Sequence, residues 1–154
     1  MAAAGDAEPG VHVSLTDQPI DVAGLLDRAG SAADGAVACF IGRVRDHAGG
    51  EEVHRLDYQA YEPMALSEMR RIAVEARRRL DLSSVILVHR TGDLPVGEVA
   101  VAVVTTSAHR AAALDGCRDV IDSVKSDVPI LKREHTTRGA RWVDARCQGS
   151  AADV

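Results

Sequence analysis

The sequence predicts a single domain of the α+β class. Three observations predict it. Strand-like and helix-like segments are mixed, without the strict strand–helix–strand repeat of a parallel α/β protein. The chain has 154 residues, 46% apolar and 27% charged, which is the size and balance of one globular unit. No linker, repeat or low-complexity tract divides residues 11–147, so that stretch is expected to fold as the domain. Small and polar residues at 1–10 and 148–154 are expected to form a disordered N-terminal tail and a flexible C-terminal one.

The elements follow in order. Val11 to Thr16 alternates and predicts a strand; Asp21 to Ala29 predicts a short helix ending at Gly30. Gly35 to Arg45 and Val53 to Tyr61 predict strands joined through DHAGGEE, where Gly49 and Gly50 shape a hairpin turn. Pro63 opens a helix over Met64 to Leu80, with Leu66, Met69, Ile72, Ala73 and Ala76 on its apolar face. Arg77, Arg78 and Arg79 are expected as a solvated helix end. Val85 to His89 and Glu98 to Thr106 predict strands around a TGDLPVG turn, and their weak alternation predicts burial on both faces. A third helix is expected from Ser107, its N-cap, to about Ser126, with Ala113, Leu114, Cys117, Val120, Ile121 and Val124 as the apolar stripe. Pro129 stops it, and ILKREHTTRGARWVDAR predicts two strands around TTRG.

Composition excludes several functions. A net charge of -5 and only four aromatics (Phe40, Tyr58, Tyr61, Trp142) argue against nucleic-acid binding. No apolar run reaches the length of a membrane helix, and MAAAGDAEPG lacks the pattern of a signal peptide, so a cytoplasmic location is the expectation. Cys39, Cys117 and Cys147 are widely spaced and form no zinc-binding pattern; neither a metal nor a cofactor is implied.

The basic residues carry the strongest signal. Of 18, all but Lys125 and Lys132 are arginine. Arginine cannot lose its proton near neutral pH, whereas lysine can, and lysine alone offers a compact nucleophilic amine. On a helical wheel Lys125 borders the apolar stripe beside Ile121, where partial desolvation lowers its pKa. Lys132 lies two residues before Glu134 on a strand, so the two share a face and can pair, while Arg133 points away. The alternatives are two solvated lysines and a surface ion pair of little worth. A second candidate is the SAHR junction: Ser107, His109 and Arg110 at a helix start suit an anion such as phosphate. Arg43 and Arg45 share a strand face by period two, and Arg141 and Arg146 flank Trp142; each can hold an anion or simply be solvated. His109/Arg110 and Lys125 stand about 22 Å apart along one helix. A small substrate cannot touch both, so either there are two sites or two copies complete one pocket.

FIGRVR (40–45), YEPMA (61–65), HRTGDLPVGE (89–98), SAHRAAA (107–113), DSVKSDVPILKRE (122–134) and RWVDAR (141–146) together resemble the catalytic large subunit family of molybdopterin synthase. The resemblance implies an α/β-hammerhead-type domain with an additional antiparallel β subdomain. It implies a homodimer with a small ubiquitin-like sulfur-carrier subunit docked on each copy, making a heterotetramer. The reaction implied converts cyclic pyranopterin monophosphate, precursor Z, to molybdopterin, with two sulfurs supplied by the C-terminal Gly-Gly thiocarboxylate of the partner. By motif, Lys125 and Lys132 are the catalytic residues, and Phe40, Arg45, His109, Arg110 and Arg146 line the substrate and tail pocket. Leu131 and Leu114 stand where the family often has aromatics, an apolar-for-apolar departure. The alternative reading is a non-enzymatic regulatory module that binds a phosphorylated metabolite at the Ser107 helix start.

Overall fold

The computed structural model describes residues 8–144. Twelve elements run in the order β1 (Val11–Thr16), α1 (Val22–Arg28), β2 (Ala36–Arg43), β3 (His47–Ala48), β4 (Glu51–Ala60), α2 (Glu62–Arg79), β5 (Ser84–Arg90), β6 (Gly92–Pro95), β7 (Val99–Ser107), α3 (Arg110–Asp127), β8 (Ile130–Thr136) and β9 (Gly139–Asp144). They form two sheets with three helices, a mixed α+β architecture.

The first sheet has the order β1-β5-β7-β2. β1 runs parallel to β5; the other pairs are antiparallel. The aliphatic runs of β5 and β7 are buried on both faces, as their weak alternation predicts. Val85, Leu87, Val101 and Val103 meet α2 and α3 on one face. Ile86, Val88, Ala102 and Val104 meet Leu25 of α1 on the other. Asp21 caps α1 by accepting from the Gly24 amide at 3.1 Å.

The second sheet is antiparallel, in the order β3-β4-β8-β9, with β6 also on β4. Gly49 and Gly50, both at positive φ, turn the β3–β4 hairpin, the backbone a tight two-residue turn demands. The TGDLPVG segment is more than a turn. Its middle forms β6, pairs with Arg55–Tyr58 of β4, and sends Leu94 fully into the core. Burial of that leucine outweighs the turn-forming tendency of its glycine and proline neighbours.

Three further expectations are corrected. Leu114 is 61% exposed, and Gly116 takes its place on the buried face of α3, where Leu82 packs too closely to admit a Cβ. Arg78 and Arg79 are exposed as expected but also paired, with Glu8 and with Asp119 at 2.7 Å, and only Arg77, beside Glu8, is largely covered. α2 begins at Glu62, with Ala65 rather than Leu66 fully buried. The C-terminal tail and most of the N-terminal one lie outside the described residues. Among the described residues, no helix is long and apolar enough to cross a membrane.

Candidate active site at the junction of the two sheets

Lys125 sits in the last turn of α3, where the helix dipole favours a cation. Val128 and Pro129 end the helix, and the chain returns at once as β8, which carries Lys132. This reversal brings the two lysines into mutual electrostatic range across seven residues of sequence. Burial, and then the charge of Lys132, hold the Lys125 amine below its ordinary value. The residue as a whole is nonetheless exposed, so the burial falls on its amine end.

Lys132 is far more enclosed. Its side chain is only 12% exposed and its Nζ lies 3.5 Å from Oε1 of the fully buried Glu134. The expected pair therefore forms inside the protein rather than on its surface. Arg141 of β9, opposite Glu134 in register, donates to Oε2 at 3.0 Å. Arg133 points the other way and lies over Trp142, 5.6 Å from the ring centroid. A buried carboxylate held between two cations fixes where Lys132 stands; its net contribution to stability is small because desolvation offsets attraction.

Tyr58 of β4 faces Lys132 in the sheet register and is buried. Burial, and then the Glu134 charge, push its hydroxyl up to about 12, so it remains a neutral phenol. His89, at the end of β5, meets Tyr58 edge-on with ring centroids 5.2 Å apart. Burial dominates its titration and, with Lys125 opposing a further positive charge, leaves it down at about 4. Sequence reasoning missed both residues as site components. Their signal was a single polar side chain closing the aliphatic run VILVH and one aromatic opposite a lysine.

The other expected residues lie elsewhere. In register, Ala36 faces Ser107 and Arg43 faces Val99, so the sheet has two distinguishable ends. Lys125, His89 and the close of β2 share one end. Arg45 follows β2 there, exposed, beyond a register shift between Gly42 and Arg43. The strand stops at Arg43, whose Nε donates to the Gly97 carbonyl, and Arg43 and Arg45 are both exposed on either side of the buried Val44, as period-two spacing predicts. Phe40 lies midway along β2, 37% exposed on an outer strand. His109 and Arg110 are exposed at the opposite end, at the start of α3. Ser107 does not cap that helix. It is the buried last residue of β7, its hydroxyl directed at the Asp81 carbonyl, and His109 occupies the N-cap without a side-chain capping bond. The anion site built on a Ser107 cap is therefore not formed as expected. Arg146 lies outside the described residues. No group of three or more His, Cys, Asp or Glu side chains suited to a metal occurs among the described residues.

A two-sheet α+β domain with a partly desolvated amine beside a buried lysine–glutamate pair suits one class of protein, an enzyme of acid–base or acyl chemistry. Comparison with known proteins narrows it. The MoaE protein family matches residues 15–127, and the chain belongs to that family. Molybdopterin synthase catalytic subunit 1 of Mycobacterium tuberculosis is 39% identical over 135 residues, covering 88% of this chain and 92% of the relative. The molybdopterin synthase catalytic subunit of Pyrococcus abyssi is 38% identical, covering 86% and 90%. The crystal structure of molybdopterin synthase from Staphylococcus aureus superposes with a TM-score of 0.79 at 30% identity, covering 84% of this chain and 94% of that one. The molybdopterin biosynthesis MoaE protein of Burkholderia ambifaria superposes at 0.77 and 34% identity, covering 93% of each. The activity that goes with this membership is that of a molybdopterin synthase catalytic subunit, a sulfurtransferase of molybdenum cofactor biosynthesis.

Proposed function

We propose that Lys125 and Lys132 are the reacting residues of this sulfurtransferase. The substrate is precursor Z, and the two sulfurs arrive on the C-terminal Gly-Gly thiocarboxylate of a small ubiquitin-like subunit. One observation supports the reading: the chain's two lysines, one at a helix end and one on a strand, stand within electrostatic range of each other, and the second is paired with a buried carboxylate. Lys125, open and depressed in pKa, handles protons or the carrier's acyl end, and Lys132 holds an anionic group within the pocket. A structure from Helicobacter pylori described as a complex of subunits 1 and 2 of molybdopterin-converting factor shares the fold at a TM-score of 0.68 and 20% identity.

Phe40, Arg45, His109, Arg110 and Arg146 complete the pterin-phosphate and tail pocket, some of them from a second copy of the chain. The homodimer is supported by the separation of the two ends of α3 and by Val37 and Phe40, exposed on β2 at the edge of the first sheet. In this reading the second sheet is the additional antiparallel subdomain of an α/β-hammerhead-type fold. Incubation with precursor Z and thiocarboxylated carrier, followed by assay for molybdopterin, tests the proposal. Lys125→Ala and Lys132→Ala should assemble with the carrier yet give at least a hundredfold less product, the low end of acid–base contributions. Full turnover by both variants would end it.

A further inference from the structure

Arg141 lies on β9 directly opposite Glu134 of β8. The turn between the strands helps to set that register. Thr136 Oγ1 accepts from the Arg138 amide and donates to the Gly139 carbonyl oxygen at 3.1 Å, with Gly139 at positive φ. Spacing alone leaves Arg141 free to hold an anion or to be solvated; the anion it holds is the chain's own. Its Nε and Nη2 both lie 3.0 Å from Oε2 of Glu134. Oε1 accepts no hydrogen bond among the described residues and faces the Lys132 ammonium at 3.5 Å. The carboxylate thus has one oxygen for each cation. Glu134 is fully buried, Lys132 nearly so, and Arg141 half-exposed, so the row runs from the interior to solvent.

We propose that Arg141 is a positioning residue for Lys132, acting through Glu134: its guanidinium claims Oε2 with two N–H groups and turns Oε1 toward the Lys132 ammonium. The proposal rests on the reading of Lys132 as a reacting group. A carboxylate whose only partner is one ammonium can offer it both oxygens and draw it inward. With Oε2 taken, Lys132 meets one oxygen at ion-pair distance and keeps donors for a ligand, since an ammonium carries three. A guanidinium suits the task because its planar fork fixes the oxygen it binds and its charge does not titrate near neutral pH. Charge matters as well as direction. The charged and titratable groups described around Lys132 are Glu134 and Arg141, Lys125 at the end of α3, and the neutral phenol of Tyr58 opposite on β4, with His89 of β5 against its ring. Arg141 offsets the pull of the carboxylate on the Lys132 proton, and without it that pull is undivided.

The test uses the full chain in complex with thiocarboxylated carrier, with the lysines of this chain labelled at 13Cε. Two lysines give two signals to follow against pH, and Lys125→Arg leaves only that of Lys132. Arg141→Gln keeps an amide donor for Oε2 but removes the charge. The Lys132 signal should then titrate about one unit higher, and turnover at saturating carrier should fall about tenfold. Arg141→Lys, which returns the charge, should bring back the titration and most of the turnover. Arg141→Met keeps the aliphatic stem without charge or donor; it serves if the glutamine variant does not assemble, and should shift Lys132 the same way. Parental Lys132 titration in the glutamine or methionine variant overturns the proposal even if turnover falls, because a purely structural role would lower turnover without moving that amine. If Lys132→Ala remains active, the role given to the lysine fails, while the titration shift still reports the Arg141–Glu134 contact.

Discussion

Replacing both lysines by arginine separates what folding needs from what chemistry needs. The double variant Lys125→Arg, Lys132→Arg keeps the formal charge at -5. The fold asks position 132 for a cation opposite Glu134. At the observed 3.5 Å, unit charges attract by about 5 kcal/mol for an effective dielectric near 20, before desolvation is subtracted. A guanidinium supplies the same charge, and Arg141 still holds the other carboxylate oxygen at 3.0 Å. The melting temperature should therefore move by no more than a few degrees, about 1 kcal/mol for a domain of this size. The proposed chemistry asks for an amine that can shed its proton or form a bond, and a guanidinium can do neither. Losing that step should cost 10²–10⁴-fold in rate, roughly 3–5 kcal/mol of barrier. Lys132→Ala should differ in kind, because Glu134 keeps Arg141 alone and stability falls as well, by about 1–3 kcal/mol. The assays are thermal unfolding and molybdopterin formation with saturating carrier and precursor Z. Parental turnover by the double arginine variant would refute the reasoning.

Acid should unfold the protein partly through His89. Its ring titrates near 4 when folded and near 6.5 when unfolded, so protons favour the unfolded chain; the stability it confers is full above 6.5 and is lost as pH falls toward 4, by about 3 kcal/mol, a loss that urea titrations should find missing in His89→Gln. Leu94→Ala should destabilise by about 2–5 kcal/mol in denaturant titrations, because β6 is a packed strand; a cost typical of a surface turn, under 0.5 kcal/mol, would contradict its burial. Gly116→Ala should cost about 1–3 kcal/mol despite the better helix propensity of alanine, since the new methyl would stand 2.6 Å from a Leu82 methyl; a stabilised variant would show that Leu82 moves aside.

Local periodicity made much of the fold legible. β1 has the bounds its alternation predicts, and the doubly buried β5 and β7 follow from their unbroken aliphatic runs. Failures arose where a distant partner decides. β6 exists because β4 offers it an edge, and nothing within TGDLPVG reports that edge. Gly116 is buried because Leu82 lies over it, a contact across 34 positions of sequence that the helical wheel misassigns to Leu114. The site shows the same division. Lys125 and Lys132 were visible through the chain's otherwise complete preference for arginine, and Lys132–Glu134 through strand spacing. His89 and Tyr58 join them only by the packing of one sheet against the other.

The geometry of α3 bears on assembly. Its 18 residues span about 27 Å, with exposed His109 and Arg110 at one end and Lys125 at the other. The proposed phosphorylated pterin cannot bridge that length, so in a monomer the proposed His109–Arg110 contacts and the lysines would serve different molecules. The proposed two-fold dimer through the β2 edge would remove the conflict if it sets one copy's helix start beside the other copy's lysines. Complementation tests this arrangement. A His109→Ala, Arg110→Ala chain and a Lys125→Ala, Lys132→Ala chain should each be inactive as homodimers. Refolded together at equal amounts, half of the dimers are mixed, and each mixed dimer holds one pocket with all parts intact and one with none. Activity should return to about a quarter of the parental level, because shared sites are complete in one of every four pockets. If each pocket were built from a single chain, every pocket in the mixture would carry one defect or the other, and no activity would return.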